Sequence, residues 1–180
     1  MNKIDFLYVG KNEIGTYPLQ SIIENITSHE ERTLCLEKVK HIFLELCYDK
    51  FGCHLLEKTL TKNEYGSLIQ NFKKIIIDNF SDLCFDSNGV KIMKFFAVIS
   101  YVNSDYEYLN ELLFSKLNEL VNQQYGNYLL QCIIETWDTS FAKKIVESFK
   151  HKYLLLILQK YSSNVIEKLL ITLGKVSQNF

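Results

Sequence analysis

The sequence predicts an all-α fold, a curved α-solenoid of stacked helical repeats, and three observations lead there. A short pattern recurs five times, as Gly15-Thr16-Tyr17-Pro18-Leu19-Gln20, Gly52-Cys53-His54-Leu55-Leu56-Glu57, Gly89-Val90-Lys91-Ile92-Met93-Lys94, Gly126-Asn127-Tyr128-Leu129-Leu130-Gln131 and Ser162-Ser163-Asn164-Val165-Ile166-Glu167. The first three intervals are 37 residues and the last is 36. Each copy carries an apolar stripe at helical spacing. The chain is 47% hydrophobic with one proline, and no alternating apolar and polar run is flanked by hairpin signals, which disfavours a β-rich fold.

With the residue after each Gly (or after Ser162) numbered as position 1, positions 3, 4, 7 and 8 form the stripe. The first helix offers Pro18, Leu19, Ile22 and Ile23, with Pro18 in the first turn, where a missing N–H costs little. The later helices offer Leu55, Leu56, Thr59 and Leu60; Ile92, Met93, Phe96 and Ala97; Leu129, Leu130, Ile133 and Ile134; and Val165, Ile166, Leu169 and Leu170. Helix-like segments between them supply partner faces, such as Leu34, Val39, Ile42, Phe43 and Leu46, or Leu109, Leu112, Leu113, Leu117, Leu120 and Val121. A lone unit of this size buries too little apolar surface to offset its chain entropy, so neighbours must stack. The expected organisation is a single repeat domain over 1–180, with repeats at 1–28, 29–64, 65–102, 103–138 and 139–174 and a tail at 175–180.

At 100° per residue, positions 1, 2 and 5 centre about 140° from the stripe, so each copy is expected to keep three side chains outside the core. Positions 1 and 5 are an i, i+4 pair able to engage one planar partner together. Asn127 and Gln131 are two amides, each with a donor and an acceptor, which matches the pairing edge of uracil. Ser163 and Glu167 combine a hydroxyl with a carboxylate that only accepts, which suits the donor-rich edge of guanine. Position 2 holds Tyr17, His54, Lys91, Tyr128 and Asn164, flat or long side chains suited to lying between successive bases.

These residues resemble the Pumilio or PUF repeat proteins, whose repeats read single-stranded RNA at one base each. The stretch from Gln124 to Gln131 is similar to the family's sixth repeat, and that from Lys160 to Lys168 to its seventh. Gly15-Thr16-Tyr17-Pro18-Leu19-Gln20 resembles the third repeat and Gly52-Cys53-His54 more loosely the fourth. The resemblance implies a right-handed superhelical stack and a chain running antiparallel to RNA. It also implies that Ser163 and Glu167 take guanine and that Asn127 and Gln131 take the uracil 3′ to it. Thr16 with Gln20 suits adenine or uracil, and Cys53 with Glu57 mixes a small residue with a guanine-type acceptor. Val90 and Lys94 cannot form the amide pair, so that copy reads loosely or Lys94 contacts phosphate. The expected site is about five nucleotides, roughly 5′-GUNNN, one base per repeat. The family also implies binding to mRNA 3′ untranslated regions in the cytoplasm, translational repression, and recruited repressor or deadenylation proteins.

Electrostatics give partial support. The formal charge is −1, whereas RNA binders commonly carry a basic excess. From two residues before each aligned Gly (or Ser162) to ten after, seven lysines face five glutamates, +2, leaving −3 elsewhere. Two other functions compete: an armadillo-like solenoid gripping an extended peptide, and a divergent Pumilio relative binding structured or ribosomal RNA, for which more Lys and Arg are expected.

Several classes are excluded. His29, His41, His54 and His151 show no metal spacing with one another or with the cysteines, and no nucleophile elbow, P-loop or paired-carboxylate motif occurs, so neither enzyme, metal site nor cofactor is expected. The five cysteines read as small buried hydrophobes of a reducing compartment, Trp137 as a core or capping residue, and Asp49 and Asp86 as cap or turn residues. No run of 18 uncharged apolar residues occurs, and Met1 to Gly10 carries Lys3 and Asp5 in too short an apolar run for a signal peptide. A soluble, cytoplasmic protein starting at Met1 is expected.

Overall fold

The computed structural model describes residues 3–177; residues 1, 2 and 178–180, which include Met1 and the end of the expected tail, lie outside the described residues. Among those described there are helices and no strand, the all-α class expected. In chain order the helices are α1 (Lys3–Gly10) and α2 (Thr16–Glu24), then α3 (His29–Lys40), α4 (Phe43–Cys47) and α5 (Lys50–Thr61). Next come α6 (Tyr65–Asp78), α7 (Phe80–Phe85) and α8 (Gly89–Val102), and α9 (Glu107–Ser115), α10 (Leu117–Asn122) and α11 (Gly126–Thr136). The last are α12 (Thr139–Ser148), α13 (Tyr153–Ile157) and α14 (Ser162–Ser177).

Long helix, short helix, patterned helix is the recurring order, so each partner segment that the sequence suggested is two helices and not one. The break falls ten residues before the patterned Gly or Ser every time. Ile42, Asn79, Lys116 and Lys152 there have φ between −113° and −124° and ψ between 2° and 20°, which opens one helical turn.

Four of the patterned helices carry Gly at the N-cap or in the first turn because they pass a carbonyl six residues upstream. A Cβ on Gly52 would sit 2.9 Å from the Leu46 oxygen, on Gly89 2.6 Å from that of Leu83, and on Gly126 3.0 Å from that of Leu120. In the fifth copy the same approach is made by a hydrogen bond, with the Ser162 hydroxyl donating to the Leu156 carbonyl at 2.7 Å. Three residues before Gly stands a cap. Asp49 Oδ1 accepts from the amides of Phe51 and Gly52, and Asp86 Oδ1 from those of Asn88 and Gly89, the role expected of both. Asn12 Oδ1 does the same for Ile14 and Gly15.

The chain forms two compact units that divide between Phe95 and Phe96. In the first, α2 lies against α5, with α1, α3 and α4 also on α5. Its core includes Leu36, Val39, Phe43, Leu46, Leu55, Leu56 and Phe72, and the Phe43 and Phe72 rings stack at 4.6 Å. In the second, α11 lies against α14, flanked by α10 and α12, and α13 packs on α14. Here Trp137 is a core residue, one of the two roles expected of it. Its Nε1 donates to the Ala97 carbonyl at 3.1 Å, and Tyr101, Tyr106 and Phe141 surround its ring. Each such side chain, fully buried, contributes about 1.5–3 kcal/mol. All five cysteines are free thiols. Cys35, Cys47, Cys53 and Cys84 are buried, and burial pushes the Cys47 and Cys84 thiols far above their usual range.

The stripe is buried as expected except at its ends. In α2, Leu19 and Ile23 are buried, but Pro18 and Ile22 are exposed; in α14, Val165, Ile166 and Leu169 are buried, but Leu170 is exposed. Leu34, read as part of a partner face, is also exposed. The pattern has a simple cause. The first copy, α2, has only a following patterned helix in its unit, and it covers positions 1, 4 and 8. The last copy, α14, has only a preceding one, and it covers positions 3, 4 and 7. Positions 3 and 7 therefore face backward along the repeat series and positions 1 and 8 forward.

Candidate nucleic-acid interface

The five patterned helices each present position 2 to solvent. Tyr17 (65% exposed), His54, Lys91, Tyr128 (49% exposed) and Asn164 are all on the surface. At position 5, Glu57 and Glu167 are exposed and Gln20, Lys94 and Gln131 half-buried.

Position 1 departs from the expectation that all three side chains stand clear of the core. Thr16, Cys53 and Asn127 are buried, as is Val90, and Ser163 alone is half-exposed. The angles explain it. The centre of positions 1, 2 and 5 lies about 140° from the stripe, but position 1 taken singly is only about 90° from it and about 20° from position 8. It therefore lies on the forward flank, which the next helix covers.

In the second unit, the Asn127 amide donates to the carbonyls of Gln123 and Gln124, both at 2.8 Å, and its Oδ1 accepts from Gln131 Nε2 at 2.8 Å. Asn127 is thus saturated inside the protein, while Gln131 keeps its own carbonyl and one N–H for another partner. On α14, the Ser163 hydroxyl makes only a long contact, 3.4 Å, to the Lys160 carbonyl. The Lys160 ammonium lies 5.2 Å from the centroid of the Tyr161 ring. Lys168 on α14 reaches Glu135 on α11 at 3.3 Å, tying the two helices together.

The first unit repeats the device. Gln20 Nε2 donates to the Thr16 hydroxyl at 2.9 Å, and Lys58 on α5 meets Glu24 on α2 at 2.5 Å, the same repeat positions as Lys168 and Glu135. That ion pair lowers the Glu24 pKa. The sequence reading missed these bridges, although a Lys at position 6 after a Glu at position 9 of the preceding copy marks both. The buried Cys53 thiol donates to the Lys50 carbonyl, and its pKa is raised by desolvation, which the nearby Lys91 partly offsets. Lys91 Nζ sits 3.1 Å from Asn88 Oδ1 and 4.0 Å from Cys53 Sγ, so its ammonium folds back onto its own helix end. Among the described residues no cluster of His, Cys, Asp or Glu could hold a metal ion, and no helix is long and apolar enough to cross a membrane.

The Pumilio-family RNA binding repeat matches residues 43–67, 116–148 and 152–173. Three segments of this chain are therefore similar to Pumilio repeats. Pumilio domain-containing protein C6G9.14 of Schizosaccharomyces pombe is 27% identical over 158 residues, 87% of this chain and 23% of that protein. Putative pumilio homolog 10 of Arabidopsis thaliana is 26% identical over 88% of this chain and 29% of its own length. Among solved structures, the Puf4 RNA binding domain bound to the HO endonuclease RNA 3′ UTR recognition sequence superimposes with a TM-score of 0.79 at 26% identity, over 94% of this chain and 53% of that one. PUF-8 in complex with PBE-RNA gives 0.82 at 22% identity, over 94% of this chain and 49% of that one. The fold is therefore an α-solenoid of helical repeats like that of the PUF domains. The chain spans about a quarter of the length of these curated Pumilio relatives and about half of the solved PUF domains.

Proposed function

We propose that this chain is a sequence-selective single-stranded RNA-binding protein that takes about one base per repeat and acts in post-transcriptional regulation of mRNA. The observation that carries it is the recurrence, on five Pumilio-type helices, of an exposed position 2 beside a position 5 that keeps polar atoms free. Rings at position 2 stack on bases; amides and carboxylates at position 5 meet their edges. The likeness to a Puf4 domain bound to a 3′ UTR sequence supports the same ligand class.

Within this reading Gln131 and Glu167 make the direct edge contacts at the uracil and guanine positions, with Gln20 and Glu57 in the same role in the first unit. Asn127 and Thr16 are positioning residues that hold Gln131 and Gln20, Ser163 reaches guanine beside Glu167, and Cys53 is a packing residue under Glu57. Tyr17, His54, Tyr128 and Asn164 stack; Lys91 and Lys94 serve the phosphates of a copy that reads loosely. The protein acts in the cytoplasm without catalysis of its own, through repressor or deadenylation partners.

Fluorescence anisotropy with a labelled 5′-UGUANAUA oligonucleotide, beside one whose GU is replaced by CC, tests the reading. Each wrong base at a well-made contact costs about 1–3 kcal/mol, so the second oligonucleotide should bind at least tenfold more weakly. Equal affinities would remove base reading; failure of both to bind would remove RNA as the ligand.

A further inference from the structure

One side chain, Asn88, joins the third copy to the second and holds a lysine between them. It precedes Gly89, a place that Ile14, Phe51, Tyr125 and Tyr161 fill in the other copies, none of them with an amide. Its Nδ2 donates to the carbonyl of Tyr48, the C-cap of α4, at 3.2 Å, and its Oδ1 accepts from Lys91 Nζ at 3.1 Å and lies 3.9 Å from Cys53 Sγ. The amide has one workable orientation, because turning it over would set oxygen against the carbonyl and its N–H groups against the ammonium. Lys91 Nζ also reaches Cys53 Sγ at 4.0 Å. Two of its three N–H groups are thus directed at the protein, and the third is left for a ligand. Lys50 and Lys160, at the same end of their helices, instead have a ring beside them, 5.3 Å from the centroid of Phe51 and 5.2 Å from that of Tyr161. The amides that open α8 cannot serve an anion in place of Lys91. Those of Asn88 and Gly89 donate to Asp86 Oδ1, that of Val90 to the Asp86 carbonyl and that of Lys91 to the Asn88 carbonyl.

We propose that Asn88 is a positioning residue for RNA, one that pre-orders the exposed Lys91 ammonium, at the seam of the second and third copies, for a phosphate of the bound strand. It rests on the RNA reading already proposed and adds the residue that readies one of its contacts. A lysine that moves freely loses rotamer freedom when it binds, a cost that corresponds to about two- to tenfold in affinity. Asn88 transfers that loss from binding to folding. The third copy, whose Val90 and Lys94 cannot pair as amides, then contributes at the backbone of the strand what it lacks at the base edge.

A double-mutant cycle of Asn88→Ala and Lys91→Met, read by anisotropy with the labelled 5′-UGUANAUA oligonucleotide, tests this. Asn88→Ala should weaken binding about two- to tenfold where Lys91 is present, and less than about twofold in the Lys91→Met background. Lys91→Met alone should make the slope of log K against log salt shallower by about 0.7, the share of one phosphate on a single strand. Without RNA, the Lys91 ammonium should give a proton–nitrogen NMR signal in the unaltered chain that Asn88→Ala removes. Should Asn88→Ala fold poorly for want of its bond to Tyr48, Asn88→Phe, the residue type of the second copy, takes its place. Equal losses in both backgrounds overturn the proposal, because a side chain that only docks one repeat on the next would weaken binding with or without the lysine. An unchanged salt slope in Lys91→Met overturns it too, and so does an ammonium signal that survives the loss of Asn88. Failure of the unaltered chain to bind the oligonucleotide is a separate result, which removes the RNA reading and this role of Asn88 with it.

Discussion

Glycine stands at the N-cap or in the first turn of four of the five patterned helices because a neighbouring backbone occupies the space that a side chain would need. At Gly89 a Cβ would lie 2.6 Å from the Leu83 oxygen, a backbone atom that cannot swing away. Gly89→Ala should therefore destabilise the protein by about 1–3 kcal/mol through overpacking. Gly66, in the first turn of α6, has no neighbour within 4 Å of the same point, so Gly66→Ala should stabilise by about 0.5–1 kcal/mol through lost chain entropy. Urea denaturation of the two variants checks both signs, and equal shifts would show that crowding does not set the glycine. Ser162 marks the copy in which contact with the upstream carbonyl is made by a hydroxyl instead, so the repeat tolerates a second solution at this point.

On the proposed reading, the buried pair member and the half-exposed one of a patterned helix divide the work. Asn127→Ala should remove the donors that two backbone carbonyls use and free Gln131 to move; the fold should lose about 1–3 kcal/mol and the uracil preference should weaken. Gln131→Ala should cost about 1 kcal/mol, because it takes the donor from the buried Asn127 Oδ1, a smaller loss than that of Asn127→Ala, yet abolish that preference. Thermal melts paired with RNA titrations separate the two, and an unchanged uracil preference in Gln131→Ala would contradict the direct contact. Much of this element was legible beforehand. The stripe, the glycine register and the Asp49 and Asp86 caps follow from spacing and residue type alone. The burial of position 1 was signalled by Cys53 and Val90, whose apolar character suits a covered site, but averaging three positions into one direction hid it. The break between long and short helices had no chemical signal. Ile42, Asn79, Lys116 and Lys152 share nothing but a backbone angle that packing imposes.

Across the whole molecule, charge is distributed unevenly enough to matter for binding. On the proposed reading, Lys91 and Lys94 meet phosphates and the exposed Lys160 can join them, within a chain of net charge −1. Neutralising up to three phosphates of a single strand gives a slope of log K against log salt of about −2. Titrations across a series of potassium chloride concentrations should return that shallow value; a slope steeper than about −5 would mean that backbone charge, and not base contact, carries the affinity. The exposure of Ile22 and Leu170 was not visible in the sequence, because both match the apolar type of their buried counterparts.

The burial of Asn127 on α11, which packs against α14, makes recognition and architecture share one seam. On the proposed reading, rewriting the letter read by α11 also edits the joint on which its neighbour rests, so changes of specificity in adjacent repeats should be epistatic, each viable only against a compatible next helix.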